Sequence, residues 1–254
     1  MTTTRTALVT GANRGLGQSI ARALAAAGHR VVVTHRPGGD ASETVRLIES
    51  AGGQAVAVAL DLGDVASFPA FASELTASTA AAWDTSRLDV LVNNAGILRF
   101  APLLEIDADQ WDRTFAINTR SMLLTTQVAA RAMIAAGHGG RIINLASMAG
   151  KAGGSGQADY AASKAAVIAF TRVTALELGE HGITANSLCP GYVLTEMGAA
   201  TRTEADVAEW SSYSPLGRLG APGDVAGVAH FLATDDAAYL TGQAFNVTGG
   251  MIMH

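Results

Sequence analysis

Cys189 is the only cysteine of the chain, so an intrachain disulfide framework is excluded and nothing points to an oxidising compartment. A small buried hydrophobe is the expected role of that thiol. Charge is sparse too: Asp, Glu, Lys and Arg make up 15% of the residues, the formal net charge is -5, and no block of Lys or Arg occurs. This balance argues against nucleic acid or an anionic membrane as a partner. No run reaches the ~18 apolar residues of a membrane-spanning helix. Residues 1–5 hold no apolar signal segment, so a soluble, cytoplasmic protein is expected. Linkers, repeats and low-complexity tracts are missing as well. The 254 residues, 49% of them hydrophobic, therefore read as one domain, 1–254, with a large core.

What is present is alternation. Short apolar runs at 6–10, 30–34, 54–61, 88–93, 141–146, 183–188 and 244–247 read as strands. Several are unbroken, as in Val31, Val32 and Val33, which suits strands covered on both faces. Helical patterns fill the spaces at 15–27, 41–51, 65–82, 107–136, 159–179 and 222–233. The repetition implies a doubly wound α/β fold, a parallel sheet of about seven strands flanked by helices on both faces. Alanine-rich helices, as at 129–136 and 161–166, suit close packing on the sheet or a subunit interface. Residues 195–214 break the rhythm with a polar insertion containing Trp210 and Tyr213, read either as a cover over a pocket or as a surface excursion.

The first strand runs into Gly11, Ala12, Asn13, Arg14, Gly15, Leu16 and Gly17, and then a helix. Glycines there allow a tight turn and close approach of the backbone to a pyrophosphate, which also meets the positive end of the helix. Coming after the first strand, the pattern points to a Rossmann-type dinucleotide site. The second strand ends in Thr34, His35 and Arg36, with no carboxylate before Asp40. A carboxylate at this point would bind a ribose 2′-hydroxyl, whereas arginine accommodates a 2′-phosphate. Arg36 and Arg14 together favour NADP(H) over NAD(H), with His35 flanking the adenosine. Asp61 and Leu62 close the third strand, and Asn93, Asn94, Ala95 and Gly96 the fourth, at the carboxyl ends where adenine and ribose would lie. Asp61 also suits a helix cap.

Tyr160 precedes Lys164 by four residues, which puts phenol and ammonium on one face of a helix, with Ser147 upstream. A neighbouring cation favours the phenolate, and a serine hydroxyl can hydrogen-bond a substrate oxygen whose charge is changing. The three groups suit making or breaking a carbonyl; no metal set is called for.

The glycine loop, Asn93–Gly96, Asn118, Ser147, Tyr160, Lys164, Pro190 and Gly191 occur in order along nearly the whole chain. In this the sequence resembles the short-chain dehydrogenase/reductase superfamily, in its compact branch. The resemblance implies that Tyr160 is the proton donor or acceptor, that Lys164 lowers its pKa and holds the nicotinamide ribose, and that Ser147 orients the substrate oxygen. It implies that Asn118 anchors a water, that Val193 and Thr195 hold the nicotinamide carboxamide after Pro190 and Gly191, and that the protein is a homodimer or homotetramer. Thr248 precedes Gly249 and Gly250 where the family often has an aspartate. The implied activity is NADP(H)-dependent reduction of a ketone or aldehyde, or oxidation of a secondary alcohol. A catalytically silent NADP-binding sensor and an NAD-linked sugar or polyol dehydrogenase are the alternatives. An epimerase would need a further carboxyl-terminal subdomain. Leu98, Ala149, Gly150, Gly153, Gly154, Gln157, Tyr192 and the 195–214 insertion are expected near the substrate.

Overall fold

A computed structural model describes residues 4–195 and 203–253. Seven parallel strands form one sheet in the order β3-β2-β1-β4-β5-β6-β7. They are β1 (Thr6–Val9), β2 (Arg30–His35), β3 (Gln54–Ala59), β4 (Val90–Asn93), β5 (Gly140–Leu145), β6 (Ile183–Pro190) and β7 (Ala244–Val247). The order reverses between β1 and β4, and the carboxyl ends of these two strands open the crevice where a doubly wound sheet binds ligands.

Register explains the apolar runs. Leu8 lies opposite Val32 on one side and Leu91 on the other, and all three are fully buried. Alternate residues face opposite layers. Ala7, Val9, Val31, Val33 and Val92 pack under helices α1 (Gly15–Ala26), α2 (Ser42–Ser50) and, through Val225 and Leu232, the helix Pro222–Ala233. Leu8, Val32, Leu91 and Ile142 pack under α3 (Ser67–Trp83), through Phe68 and Phe71, and on Met133 of the helix Ser121–Ala136. With both faces covered, polar side chains have no place in these strands except where they are hydrogen-bonded.

The helical pattern at 107–136 is not one helix. It divides into α4 (Ala108–Phe115), a π turn (Ala116–Arg120) and α5 (Ser121–Ala136). Asn118 sits in the π turn, fully buried, and its side chain donates to the Ile97 carbonyl of the loop after β4. The small residues after Ser147 wind into one helical turn, α6 (Ala149–Ala152), followed by α7 (Ala158–Leu178). Residues 203–214 of the insertion hold α8 (Glu204–Ser212), started by a reciprocal Thr203–Asp206 cap; 196–202 lie outside the described residues. The helix Pro222–Ala233 is α9. Among the described residues no helix is long and apolar enough to cross a membrane.

Candidate active site

The glycine turn joins β1 to α1. Gly11 and Gly15 have φ of 60° and 59°, in the left-handed region. Gly17 is required for contact: a Cβ there would lie 2.4 Å from the Asn94 amide and 2.5 Å from the Gly11 carbonyl. Asn94 Nδ2 donates to the carbonyls of Thr10 and Gly11 at 2.9 and 3.1 Å, while Thr10 Oγ1 accepts from the amides of Asn94 and Ala95 at 3.0 and 3.1 Å. This lattice clamps the ends of β1 and β4 together. Gly11, Asn13, Arg14, Leu16 and Gly96 line the hollow above it, with Thr195 on its far side.

The structure divides the Asn93–Asn94 pair. Asn93 is expected at the cofactor, yet its side chain turns into the core and bonds Thr126, Asn144 and, through its Oδ1, Thr125. Strand alternation is the reason: Asn93 is the last residue of a doubly covered strand, whereas Asn94 lies just past its end and faces the site. Thr10, which motif reading left as the end of the first strand, is the residue that fixes Asn94 and Ala95 against the glycine turn.

At the end of β2, Arg36 is exposed and His35 Nδ1 lies 3.0 Å from the Arg36 carbonyl. Asp40 is committed to the start of α2, accepting from the amide and hydroxyl of Ser42 at 2.7 and 2.8 Å, bonds that hold its carboxyl below the usual range. Asp61, just past β3, is exposed and accepts from the Gly63 amide, while Leu62 packs on the core. Both roles weighed for Asp61 therefore remain compatible, since the turn bond leaves the carboxylate accessible.

Beyond the switch point a cavity of about 320 Å³ brings together Ser147, Tyr160 and Lys164 with Pro190, Gly191, Val193 and Thr195. Val193 pairs with Gly220, whose carbonyl also accepts from the Leu194 amide at 2.8 Å, so the segment after β6 is held against the chain preceding α9. Ser147 Oγ accepts from the Ala149 amide at 3.1 Å and its hydroxyl hydrogen-bonds the Tyr160 phenol. Lys164 is 3% exposed; its Nζ donates to the Leu145 carbonyl at 2.6 Å and lies 5.7 Å from the Tyr160 ring centre. Gly96 leaves room between two groups: a Cβ there would approach Asn118 Oδ1 to 3.2 Å and Lys164 Nζ to 3.4 Å.

Burial pushes the Tyr160 pKa above its ordinary value, against the Ser147 hydrogen bond that lowers it. Burial also lowers Lys164 to about 8. Both groups are removed from water, and burial favours the neutral form of each.

Asn118 Oδ1 accepts from the Ile97 amide at 2.8 Å, and its Nδ2 donates to the Ile97 carbonyl and Ser163 Oγ at 2.9 and 3.1 Å. Its side chain thus ties the π turn to the loop after β4 and to α7. Asp159, which precedes Tyr160, is fully buried and accepts from Thr114 Oγ1 at 2.7 Å, Gln110 Nε2 at 3.2 Å and the Tyr160 amide at 2.8 Å. Burial alone would raise its pKa, but these bonds hold it below the ordinary range.

Fold and site together describe a protein that binds a dinucleotide across the switch point and presents a phenol to whatever lies beside it. Residues 11–252 match a family model described as enoyl-(acyl carrier protein) reductase. The chain is 42% identical to a 3-oxoacyl-[acyl-carrier-protein] reductase of Synechocystis sp., across 99% of this chain and 98% of that protein. It is 39% identical to an L-rhamnose 1-dehydrogenase (NAD(P)(+)) of Sphingomonas sp., across 98% and 97%. A crystal structure from Agrobacterium tumefaciens, described as a candidate 2-deoxy-D-gluconate 3-dehydrogenase with bound NADP, superposes with a TM-score of 0.84 at 37% identity, covering 97% of this chain and 96% of that one. The chain belongs to the short-chain dehydrogenase/reductase superfamily. It is an NAD(P)-dependent oxidoreductase acting on carbonyl or alcohol groups.

Proposed function

We propose that the protein is an NADP(H)-dependent reductase of a ketone or aldehyde, reversible to secondary-alcohol oxidation. The observation that carries this reading is the single cavity shared by Ser147, Tyr160, Lys164 and the 190–195 segment. The cofactor supplies the hydride. As charge grows on the substrate oxygen, Ser147 donates a hydrogen bond and Tyr160 delivers the proton. A phenol holds its proton at neutral pH, as a donor in the reducing direction must. Lys164 holds the nicotinamide ribose, Val193 and Thr195 the carboxamide, and the main chain of Asn118 a water that returns protons from solvent.

Gly11 to Gly17 with Asn94 and Ala95 cradle the pyrophosphate at the amino end of α1. For the 2′-phosphate, Arg36 and Arg14 supply positive charge, and the nearest carboxylate after β2, Asp40, is already occupied by Ser42. α8 forms one wall of the site, covering substrate. A second copy of the chain covers the outer faces of α5 and α7, where Leu123 and Phe170 share a hollow and Val173 is 49% exposed.

Tyr160→Phe tests the central role. NADPH oxidation with a carbonyl substrate should fall by about 10²-fold or more, while NADPH still binds by fluorescence titration. Comparable turnover by the variant would refute the assignment.

A further inference from the structure

Polarity is distributed unevenly around the cavity beside Tyr160. Two hydroxyls, of Ser147 and Tyr160, converge where a carbonyl oxygen would sit. Away from that point the described lining is mostly aliphatic or aromatic, with Leu98, Phe100, Met148, Tyr192 and Trp210, and its polar groups include the Gln157 amide, the Thr195 hydroxyl and the polar ends of the two aromatic rings. That amide is folded over the loop: a Cβ on Gly154 would lie 3.1 to 3.2 Å from its carbon, nitrogen and oxygen.

The wall formed by Trp210 is built rather than accidental. Its indole stacks on the Tyr192 ring with centres 4.7 Å apart and planes inclined by 23°. Tyr192 in turn is fixed at the end of β6, its carbonyl accepting from the Gly220 amide at 2.9 Å. Swinging either ring aside forfeits the stack, so α8 presents an aromatic face braced on the segment after β6.

Size adds a second constraint. The cavity of about 320 Å³ is at the small end for a ligand site and must admit the nicotinamide too. A substrate of more than a few carbons therefore leaves its far end at the mouth. There Leu98 and Phe100 are 44% and 63% exposed, and covering them removes apolar surface from water. A polyhydroxylated chain on the same path would lose water around each hydroxyl and find few partners.

We infer that this site takes a carbonyl carried on an apolar chain or ring, and that Trp210, braced by Tyr192, is the residue that selects for it. The inference rests on the carbonyl-reductase reading. Its test compares NADPH-dependent kcat/KM for straight-chain methyl ketones, from butanone to octanone, with ketoses of matched carbon number. In the wild-type protein kcat/KM should rise about two- to fourfold with each methylene, the gain from burying one CH2, and exceed that of every ketose. Trp210→Ala should flatten the series, lowering the value for the longest ketone by about tenfold, roughly two methylenes' worth; Trp210→Phe should restore most of the slope. Phe100→Ala, on an exposed loop, should also reduce the slope, which covers the case in which Trp210→Ala disturbs α8.

A flat series, a preference for ketoses, or an unchanged slope in both alanine variants would overturn the inference while leaving carbonyl reduction intact. Failure to reduce either class with NADPH bound would bring down the reductase reading, and this one with it.

Discussion

Tyr160 and Lys164 are both pushed toward their neutral forms by burial. In the proposed reduction the phenol is the proton donor and starts protonated. Alcohol oxidation needs the phenolate, so its rate should climb as pH rises through the alkaline range, whereas reduction holds steady across neutral pH and falls only when the phenol ionises. Initial rates in both directions over a pH series check this; an oxidation rate independent of pH would count against Tyr160 as the base. The proposed preference for NADPH also rests on single side chains. A charge-assisted hydrogen bond to phosphate contributes ~1.5–3 kcal/mol, so Arg36→Ala should weaken NADPH binding by tenfold or more and leave NADH within about threefold. Equal losses for the two cofactors would remove Arg36 from the 2′-phosphate site.

Tyr160 is aimed by its helix, and α7 is fixed at its start by α4. Gln110 and Thr114, one turn apart on α4, both reach the buried Asp159 carboxylate. Asp159→Ala leaves Thr114, Gln110 and the Tyr160 amide without that partner, a cost of about 3 kcal/mol at ~1–3 kcal/mol for each buried unsatisfied group, partly relieved by water. Asp159→Asn keeps an acceptor and should cost less. Because hydrogen bonding holds the folded carboxyl below its ordinary range, its stabilisation is full above the unfolded value of ~3.9. It is lost as pH falls through the lower folded value. The stability gap between wild type and Asp159→Asn, read from urea unfolding, should therefore close in acid and stay open at neutral pH.

Across the chain the site is assembled at one edge of the sheet from β1, β4, β5 and β6, whose carboxyl ends supply the glycine turn, Asn94, Ser147 and the 190–195 segment. The opposite, outward sides of α5 and α7 carry Leu123 and Val173 at 40% and 49% exposure. If a second copy covers them, light scattering after gel filtration should give a multiple of the 25.9 kDa chain mass. Leu123→Asp with Val173→Asp should then shift it toward one copy, because a buried charge without a partner is costly. A wild-type protein that elutes as a monomer would leave that face without a partner copy.

Local patterns were sufficient for the alternation of strands and helices, the glycine turn and the Tyr160–Lys164 pair, since each depends on neighbours within a turn or a strand. Burial on both faces makes Val31 to Val33 and Leu91 read as strand wherever they occur. Contacts between distant segments were not legible in this way. Which asparagine of the pair at 93 and 94 faces the cofactor depends on where β4 ends, one residue deciding the side. The π turn places the Asn118 side chain against Ile97 and Ser163, 21 and 45 residues away. The direction of the Tyr160 shift required knowing how deeply phenol and ammonium are withdrawn from water. Trp210 becomes a pocket wall only through a ring that β6 delivers. Hydrophobic pattern and spacing are properties of the chain read in order, whereas desolvation and hydrogen-bond partnership are properties of what folding brings alongside.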